Sequence, residues 1–221
     1  MEDTFLKYIR KGTKLLCYHL PMNNLAENLQ KQMRFLMEIE KLKMIYRQNV
    51  TIDGSRQENS AEHSWHIAMM AMVLLPQSDK ANLDLLKIMK MLLIHDIVEI
   101  DFGDTFLYDA KANESKASNE NKSAERIFGL LPDEQGHEMM ALWQEFEKRT
   151  SPEAKFAAAL DGMQPIVNHY LSNGVGIRKH HLKTQQIIDK KKYIGEASQA
   201  LWDFSLDIIH KSEEMGLYSK E

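Results

Sequence analysis

Apolar positions recur along most of this chain at intervals of three and four residues, the spacing of amphipathic helices, and no series of alternating apolar and polar positions marks a run of strands. Phe5, Leu6, Ile9, Leu15 and Leu16 predict a short amphipathic segment within residues 1–20, ending near Pro21. A second helix is expected from about Asn24 to Ile45, with Leu25, Leu29, Gln32, Leu36, Ile39 and Lys43 at helical intervals and Met33 and Met37 filling the apolar face. Residues 49–58 read as a loop. Asn59 with Glu62 three residues later then forms a capping-box-like start for a helix that runs to Leu75 and is stopped by Pro76. Asn82 can cap the next helix, which carries an apolar run at 91–98 and ends before Gly103.

Residues 109–124 are polar and predict an exposed helix whose apolar end is Ile127, Phe128, Leu130 and Leu131. Helices follow at about 133–149 and 152–171, the second announced by Ser151 as cap and Pro152 at its first position. Gly174 and Gly176 mark a loop before a shorter helix near 180–192. A last helix, about 195–215, is amphipathic through Ala197, Leu201, Phe204, Ile208 and Ile209. The pattern predicts an all-α chain of one domain, 1–221, with a core at about 24–175 and flanking helices at 1–20 and 180–216.

Composition narrows the class. The 221 residues are 43% hydrophobic and 27% charged, with a net charge of -4 that gives no general affinity for nucleic acid or an anionic membrane. One cysteine, Cys17, excludes an internal disulfide framework and fits a reducing compartment. No apolar stretch reaches the roughly 20 residues that span a bilayer, and no signal-peptide pattern opens the sequence, so a cytoplasmic protein is expected.

Against that background one feature is out of place. His95 and Asp96 interrupt the apolar run Met91-Leu92-Leu93-Ile94-His95-Asp96-Ile97-Val98, and a buried polar pair costs free energy unless something satisfies it. A divalent cation between them would satisfy both; a hydrogen-bonded pair is the other reading. Two more metal-capable residues share such settings. His63 lies in the first turn after the Asn59 cap, and Asp161 follows Phe156-Ala157-Ala158-Ala159-Leu160, whose small alanines allow close helix approach. Together they make a mixed N/O set suited to Mn, Fe, Co, Ni or Zn. Taken singly, His63 can equally be a partly exposed first-turn histidine, and Asp161 the partner of a buried arginine.

The ordered set Glu62-His63-Ser64, His95-Asp96 and Asp161 in Ala159-Leu160-Asp161-Gly162-Met163-Gln164-Pro165 resembles the H…HD…D signature of HD-domain metal-dependent phosphohydrolases, and more narrowly the branch of bacterial HD-type 5′-deoxynucleotidases. The resemblance covers roughly residues 30–175. It implies a helical bundle and one divalent metal ion (Mn, Co, Fe, Ni, Zn or Mg) held by His63, His95, Asp96 and Asp161. Helical spacing puts Glu99 on the face of His95 and Asp96, and Asp104 follows Gly103, where the chain can turn back over the site. The nucleotidase branch has a matching Glu and Asp in its catalytic centre, which makes Glu99 and Asp104 catalytic candidates, and it implies Arg47 as the phosphate contact, an arginine being suited to bidentate contact with phosphate oxygens.

Arg56 is expected to buttress Glu62 or the site, Trp65, Met69, Met70 and Met72 to lie in the core, and His66 to pack or support. No role attaches to His180-His181 or to Lys190-Lys191-Lys192, a run expected to be solvated. Glu99 followed by Ile100 departs from the adjacent acids of alarmone-hydrolysing relatives. The function implied is hydrolysis of a (deoxy)nucleoside 5′-monophosphate, a small-molecule nucleotide substrate, with no nucleic-acid or membrane partner. Another HD phosphodiesterase or nucleotide phosphohydrolase, or a non-enzymatic metal- and nucleotide-binding regulator, is the alternative. The flanking segments cover the core or make a subunit contact, a homodimer among the arrangements open to the chain.

Overall fold

The computed structural model describes residues 26–108 and 116–220; the segment expected within 1–20, Cys17 and the start of the 109–124 helix lie outside them. Eight α-helices appear among the described residues: α1 Glu27–Ile39, α2 Ser60–Leu74, α3 Leu85–Ile94, α4 Lys116–Phe128, α5 Asp133–Lys148, α6 Pro152–Leu171, α7 Thr184–Lys191 and α8 Gln199–Glu214. The all-α expectation holds. No described helix is long and apolar enough to cross a membrane.

Helix α6 is the axis of the packing. It lies against α2, α3, α5 and α8, and its stretch Phe156, Ala157, Ala158, Ala159 and Leu160 is essentially inaccessible all round. Three successive alanines let the neighbouring backbones come close, as their spacing predicted. Ser151 caps it, its Oγ accepting from Ala154 N at 3.1 Å, and Pro152 occupies the first turn. Pro165 lies within α6 four residues beyond Asp161. Having no N–H, it cannot donate to the Asp161 carbonyl, and this frees the helix locally beside a site residue.

Four local expectations need correction. The predicted helix 24–45 is α1 followed by a 3-10 turn, Glu40–Met44. Its buried positions are Phe35, Glu38 and Leu42, while Leu29 and Leu36 face outward; Glu38 is accommodated by Lys41 and Arg126, at 2.6 and 2.8 Å. The expected loop 49–58 belongs to an antiparallel hairpin, β1 Tyr46–Val50 with β2 Gln57–Asn59, pairing Tyr46 with Asn59 and Val50 with Gln57. Its turn is closed by Asp53, which accepts from Thr51 Oγ1 and from Ser55. The cap of α3 is Asp84, accepting from Lys87 N, and Asn82 instead sits in the left-handed region. The α-helix ends at Ile94, and His95–Ile100 continue as a 3-10 turn.

The last two elements also shift. The helix expected at 180–192 is α7 followed by a 3-10 turn over Lys192–Glu196, and α8 begins after Ser198, whose Oγ caps it. Trp65, Met69 and Met72 are not core: they are exposed on α2. Trp65 shares a surface region with Ile52, Leu171 and Phe204, also exposed, and Met70 is half-buried.

Candidate metal centre and catalytic cavity

The sequence from β2 into α2 delivers several polar groups to one place. The capping box forms as predicted: Glu62 N donates to Asn59 Oδ1 at 3.0 Å, and Asn59 N donates to Glu62 Oε1 at 2.7 Å. It fixes the first turn, where Ser60 and His63 are completely buried. Asp161 Oδ1 comes to His63 Nε2 from α6 at 3.0 Å, and His95 Nε2 lies 3.7 Å from the same oxygen. Donor atoms of His63, His95 and Asp161 all fall within 4.8 Å of one another. Asp96 stands outside that closest trio, with Oδ1 3.0 Å from His95 Nε2 and Oδ2 taken by Arg47 Nη1 at 2.5 Å.

The trio fits a cation. His95 Nδ1 donates to the Leu92 carbonyl at 2.8 Å, a bond that sets the tautomer and leaves Nε2 with a lone pair. That Nε2 is buried and makes no hydrogen bond, although two carboxylate oxygens lie beside it. Separations of 3.0 and 3.7 Å suit neighbouring ligands around one ion about 2.0–2.2 Å from each. The two histidines differ electrostatically. Burial, helped by the Arg47 charge, pushes the His63 imidazole down to about 4, so it is neutral at pH 7. Burial also opposes the imidazolium of His95, but Asp96 and Asp161 outweigh it and hold its pKa well above the usual range. Proton and metal therefore compete for His95 Nε2.

In the 3-10 turn residues three apart share a face, so Glu99 stands over Asp96. Glu99 is buried and its Oε2 accepts from Ser60 Oγ at 2.8 Å. Gly103, at φ 80°, donates to the Glu99 carbonyl and turns the chain back. This brings Asp104 beside Glu99, with both carboxyls lining the same cavity. Burial and the neighbouring Asp96 charge raise both acids, Glu99 well above the usual range.

Arg47 is on β1. Besides its bond to Asp96, its Nε lies 3.8 Å from Glu58 Oε2. Arg56 points elsewhere and forms a bidentate pair with Glu62 at 2.6 and 2.9 Å, the buttress expected of it. His66 is exposed and stacks on Trp65.

These groups open onto a cavity of about 360 Å³ lined by Arg47, His95, Asp96, Glu99, Asp104 and Asp161, and on its other side by Phe106, Tyr108, Lys116, Ile187, Lys191 and Tyr193. That volume is in the range of small-molecule sites.

Several of the neighbouring groups escaped the sequence reading. Glu58 is buried behind His63, with Oε2 3.7 Å from His63 Nδ1 and Oε1 accepting from Gln164 Nε2 at 2.8 Å. Burial raises it to about 7 against the pull of Arg47 and Gln164. Gln164 was findable, being three residues after Asp161 on the same helix face. The run Lys190-Lys191-Lys192 is split: Lys190 and Lys192 are exposed, while Lys191 is buried at the cavity. His180 lies against Phe106 with ring centroids 4.1 Å apart.

Comparison with known proteins places this geometry. A structure from Magnetospirillum magnetotacticum MS-1, described as a predicted metal-dependent phosphohydrolase, is 41% identical with a TM-score of 0.81, over 87% of this chain and 98% of that one. A conserved hypothetical protein from Pyrococcus furiosus shares the fold alone, at 19% identity and a TM-score of 0.60, over 82% of this chain and 99% of that one. The protein named 5′-deoxynucleotidase HDDC2 in Homo sapiens is 32% identical over 136 residues, which is 61% of this chain and 65% of the human protein. A family model described as HD domain matches residues 39–202. HD phosphohydrolases imply a divalent metal, and the His63, His95 and Asp161 group can bind one. With the family model covering well over half of its length, the chain belongs to the HD-domain family.

Proposed function

We propose that this protein is a metal-dependent phosphomonoesterase that converts a (deoxy)nucleoside 5′-monophosphate to a nucleoside and phosphate. The observation that carries the reading is His95 Nε2: buried and directed among the carboxylates of Asp96 and Asp161, at 3.0 and 3.7 Å, at the edge of a cavity that also holds Arg47 and the Glu99 and Asp104 carboxyls. The human relative named a 5′-deoxynucleotidase and the Magnetospirillum structure described as a metal-dependent phosphohydrolase support it.

In this reading His63, His95, Asp96 and Asp161 hold one divalent ion. The ion supplies positive charge that polarises a phosphoryl oxygen and acidifies water. Arg47, clamped by Asp96, presents the rest of its guanidinium to the phosphate. The Glu99–Asp104 pair takes a proton from water as its oxygen attacks phosphorus, and returns a proton to the 5′ oxygen as the P–O bond to the nucleoside breaks. Burial and the neighbouring Asp96 charge raise both acids, so the pair favours holding a proton that it can pass on. Glu58 and Gln164 orient His63 from behind, and Ser60 orients Glu99.

Phosphate release from a panel of nucleoside mono-, di- and triphosphates and a cyclic dinucleotide, with Mn, Co, Ni, Zn and Mg in turn, tests the proposal. Monophosphates are expected to turn over fastest. Faster cleavage of the cyclic dinucleotide, or no hydrolysis with any metal, overturns it.

A further inference from the structure

Helix α7 presents Ile187 and Lys191, four residues apart, to the cavity; Lys190 reaches its rim but is exposed, and Lys192, in the following turn, is exposed and lies outside the lining. Lys191 is only 8% exposed, yet among the described residues it makes no hydrogen bond and no ion pair within 4.0 Å. Lysine is seldom buried without a partner, because taking an ammonium from water costs several kcal/mol when nothing repays it. Its surroundings sharpen the problem. Burial lowers Lys191 to about 8; the Asp161 carboxylate acts in the opposite sense, but Arg47, Arg149 and Lys116 add to the lowering. Three cations thus act on a fourth across one cavity, although the same cavity holds the carboxylates of Asp96, Glu99, Asp104 and Asp161.

The acids are already engaged. Asp96 takes Arg47, Glu99 takes Ser60 and stands beside Asp104, and Asp161 faces the two histidines. Arg149 lies over the Tyr193 ring at 3.8 Å, and Lys116 is 3.4 Å from Glu120. Lys191 alone of these cations has no counterpart among the described residues, and the space beside it is the substrate cavity.

We propose that Lys191 is a phosphate-binding residue, its ammonium holding the phosphoryl group from the α7 side of the cavity while Arg47 holds it from the β1 side. The anion fills the place of the missing counterion, and the lysine favours a phosphate over an uncharged ligand. The proposal rests on the phosphomonoesterase reading only for the identity of the anion.

The test uses the full chain, metal-loaded, with inorganic phosphate as probe. Calorimetric titration of wild type, Lys191→Met and Lys191→Arg is compared with Lys192→Met as an exposed control. Lys191→Met keeps the length of the stem without its charge, so it is expected to melt no lower than wild type in phosphate-free buffer. It should bind phosphate at least tenfold more weakly and lose most of the thermal stabilisation that phosphate gives. Lys191→Arg should recover part of the affinity, and Lys192→Met should match wild type. Lys191→Gln replaces the Met variant if that one does not fold. Phosphate affinity unchanged in Lys191→Met or Lys191→Gln, or no phosphate binding by the wild type, refutes the inference. Lys191-dependent phosphate binding in a protein that hydrolyses no monophosphate would instead sink the activity while leaving this site standing.

Discussion

Replacing Glu99 by Gln separates chemistry from folding, because the structure sets the two effects at different sizes. Glu99 is buried and its Oε2 accepts the Ser60 hydroxyl at 2.8 Å, while Ser60 itself is completely inaccessible. Burial and Asp96 push the Glu99 carboxyl well above its usual range, toward the neutral form, so a neutral amide of the same shape is a modest electrostatic change, and its carbonyl can still accept from Ser60. The stability cost should stay below about 1 kcal/mol, about 2–4 °C in melting temperature at this chain length. Glu99→Ala is different: it strands a buried hydroxyl, which costs about 1–3 kcal/mol. Neither variant removes a proposed metal ligand. In turnover, by contrast, loss of a positioned acid or base costs about 10²–10⁴-fold, or about 3–5 kcal/mol in the barrier. The assay is phosphate release from a deoxynucleoside 5′-monophosphate, alongside metal content by elemental analysis and melting temperature. Glu99→Gln should hold its metal and its fold while turnover drops by about that factor. Turnover within threefold of wild type in a metal-loaded Glu99→Gln protein would show that Glu99 moves no proton in the reaction.

Other perturbations reach other parts of the site. Arg47→Met removes the partner of Asp96 and should raise KM and cut kcat/KM at least tenfold while metal stays bound; unchanged kinetics would move the phosphate contact away from β1. A chelator should lower the melting temperature, and returning metal at about 100 times its Kd should restore about 2.7 kcal/mol; a melting curve indifferent to metal would count against the His63, His95 and Asp161 centre. Gly162→Ala puts a Cβ against the Tyr193 hydroxyl and 3.0 Å from its Cζ, beside Asp161, so overpacking should cost about 1–3 kcal/mol, and a variant as stable as wild type would refute that contact. His169 is held neutral between Tyr218 and Asn49, lowered by burial from 6.5 to about 3. Since the unfolded chain then binds more protons below pH 6.5, stability is full above that pH and falls as pH drops, by about 2 kcal/mol between pH 7 and pH 5; in His169→Asn that part of the slope should vanish in denaturant titrations at the two pH values.

What could be read in the sequence was whatever depended on neighbours in the chain. The Asn59–Glu62 box and the Ser151-Pro152 start are local hydrogen-bond chemistry, and both helices begin where those residues say. His95 and Asp96 stood out because an apolar run makes a polar pair conspicuous, and Asp161 because three alanines precede it. The failures are of another kind. The hairpin 46–59 was hidden because β2 has three residues and its turn is built from the Thr, Asp, Gly and Ser that also make loops. On α1 and α2 apolar spacing alone does not say which side faces the core: Leu36 and Trp65 face outward, whereas Glu38 is buried because Arg126, from a helix far along the chain, supplies its charge.

Lys191 illustrates the same limit at the site. In the sequence it is the middle of a lysine run, which composition assigns to solvent; only the packing of α7 beside α8 and the turn at 192–196 carries one of the three inward. The HD signature thus marks the residues held by the axial helices, α2, α3 with its 3-10 extension, and α6, whose relation to the metal is set by short-range helical geometry. The far wall of the cavity comes from Phe106 and Tyr108 and from α4 and α7, elements that no local pattern ties to the centre. A divalent ion and a phosphate place opposite demands on the cavity: the ion needs the carboxylates and neutral imidazoles, and the phosphate needs the cations. The wall legible from sequence should therefore govern metal content and, through Arg47, one face of the anion, while Lys191 on the other wall supplies the second contact to the anion.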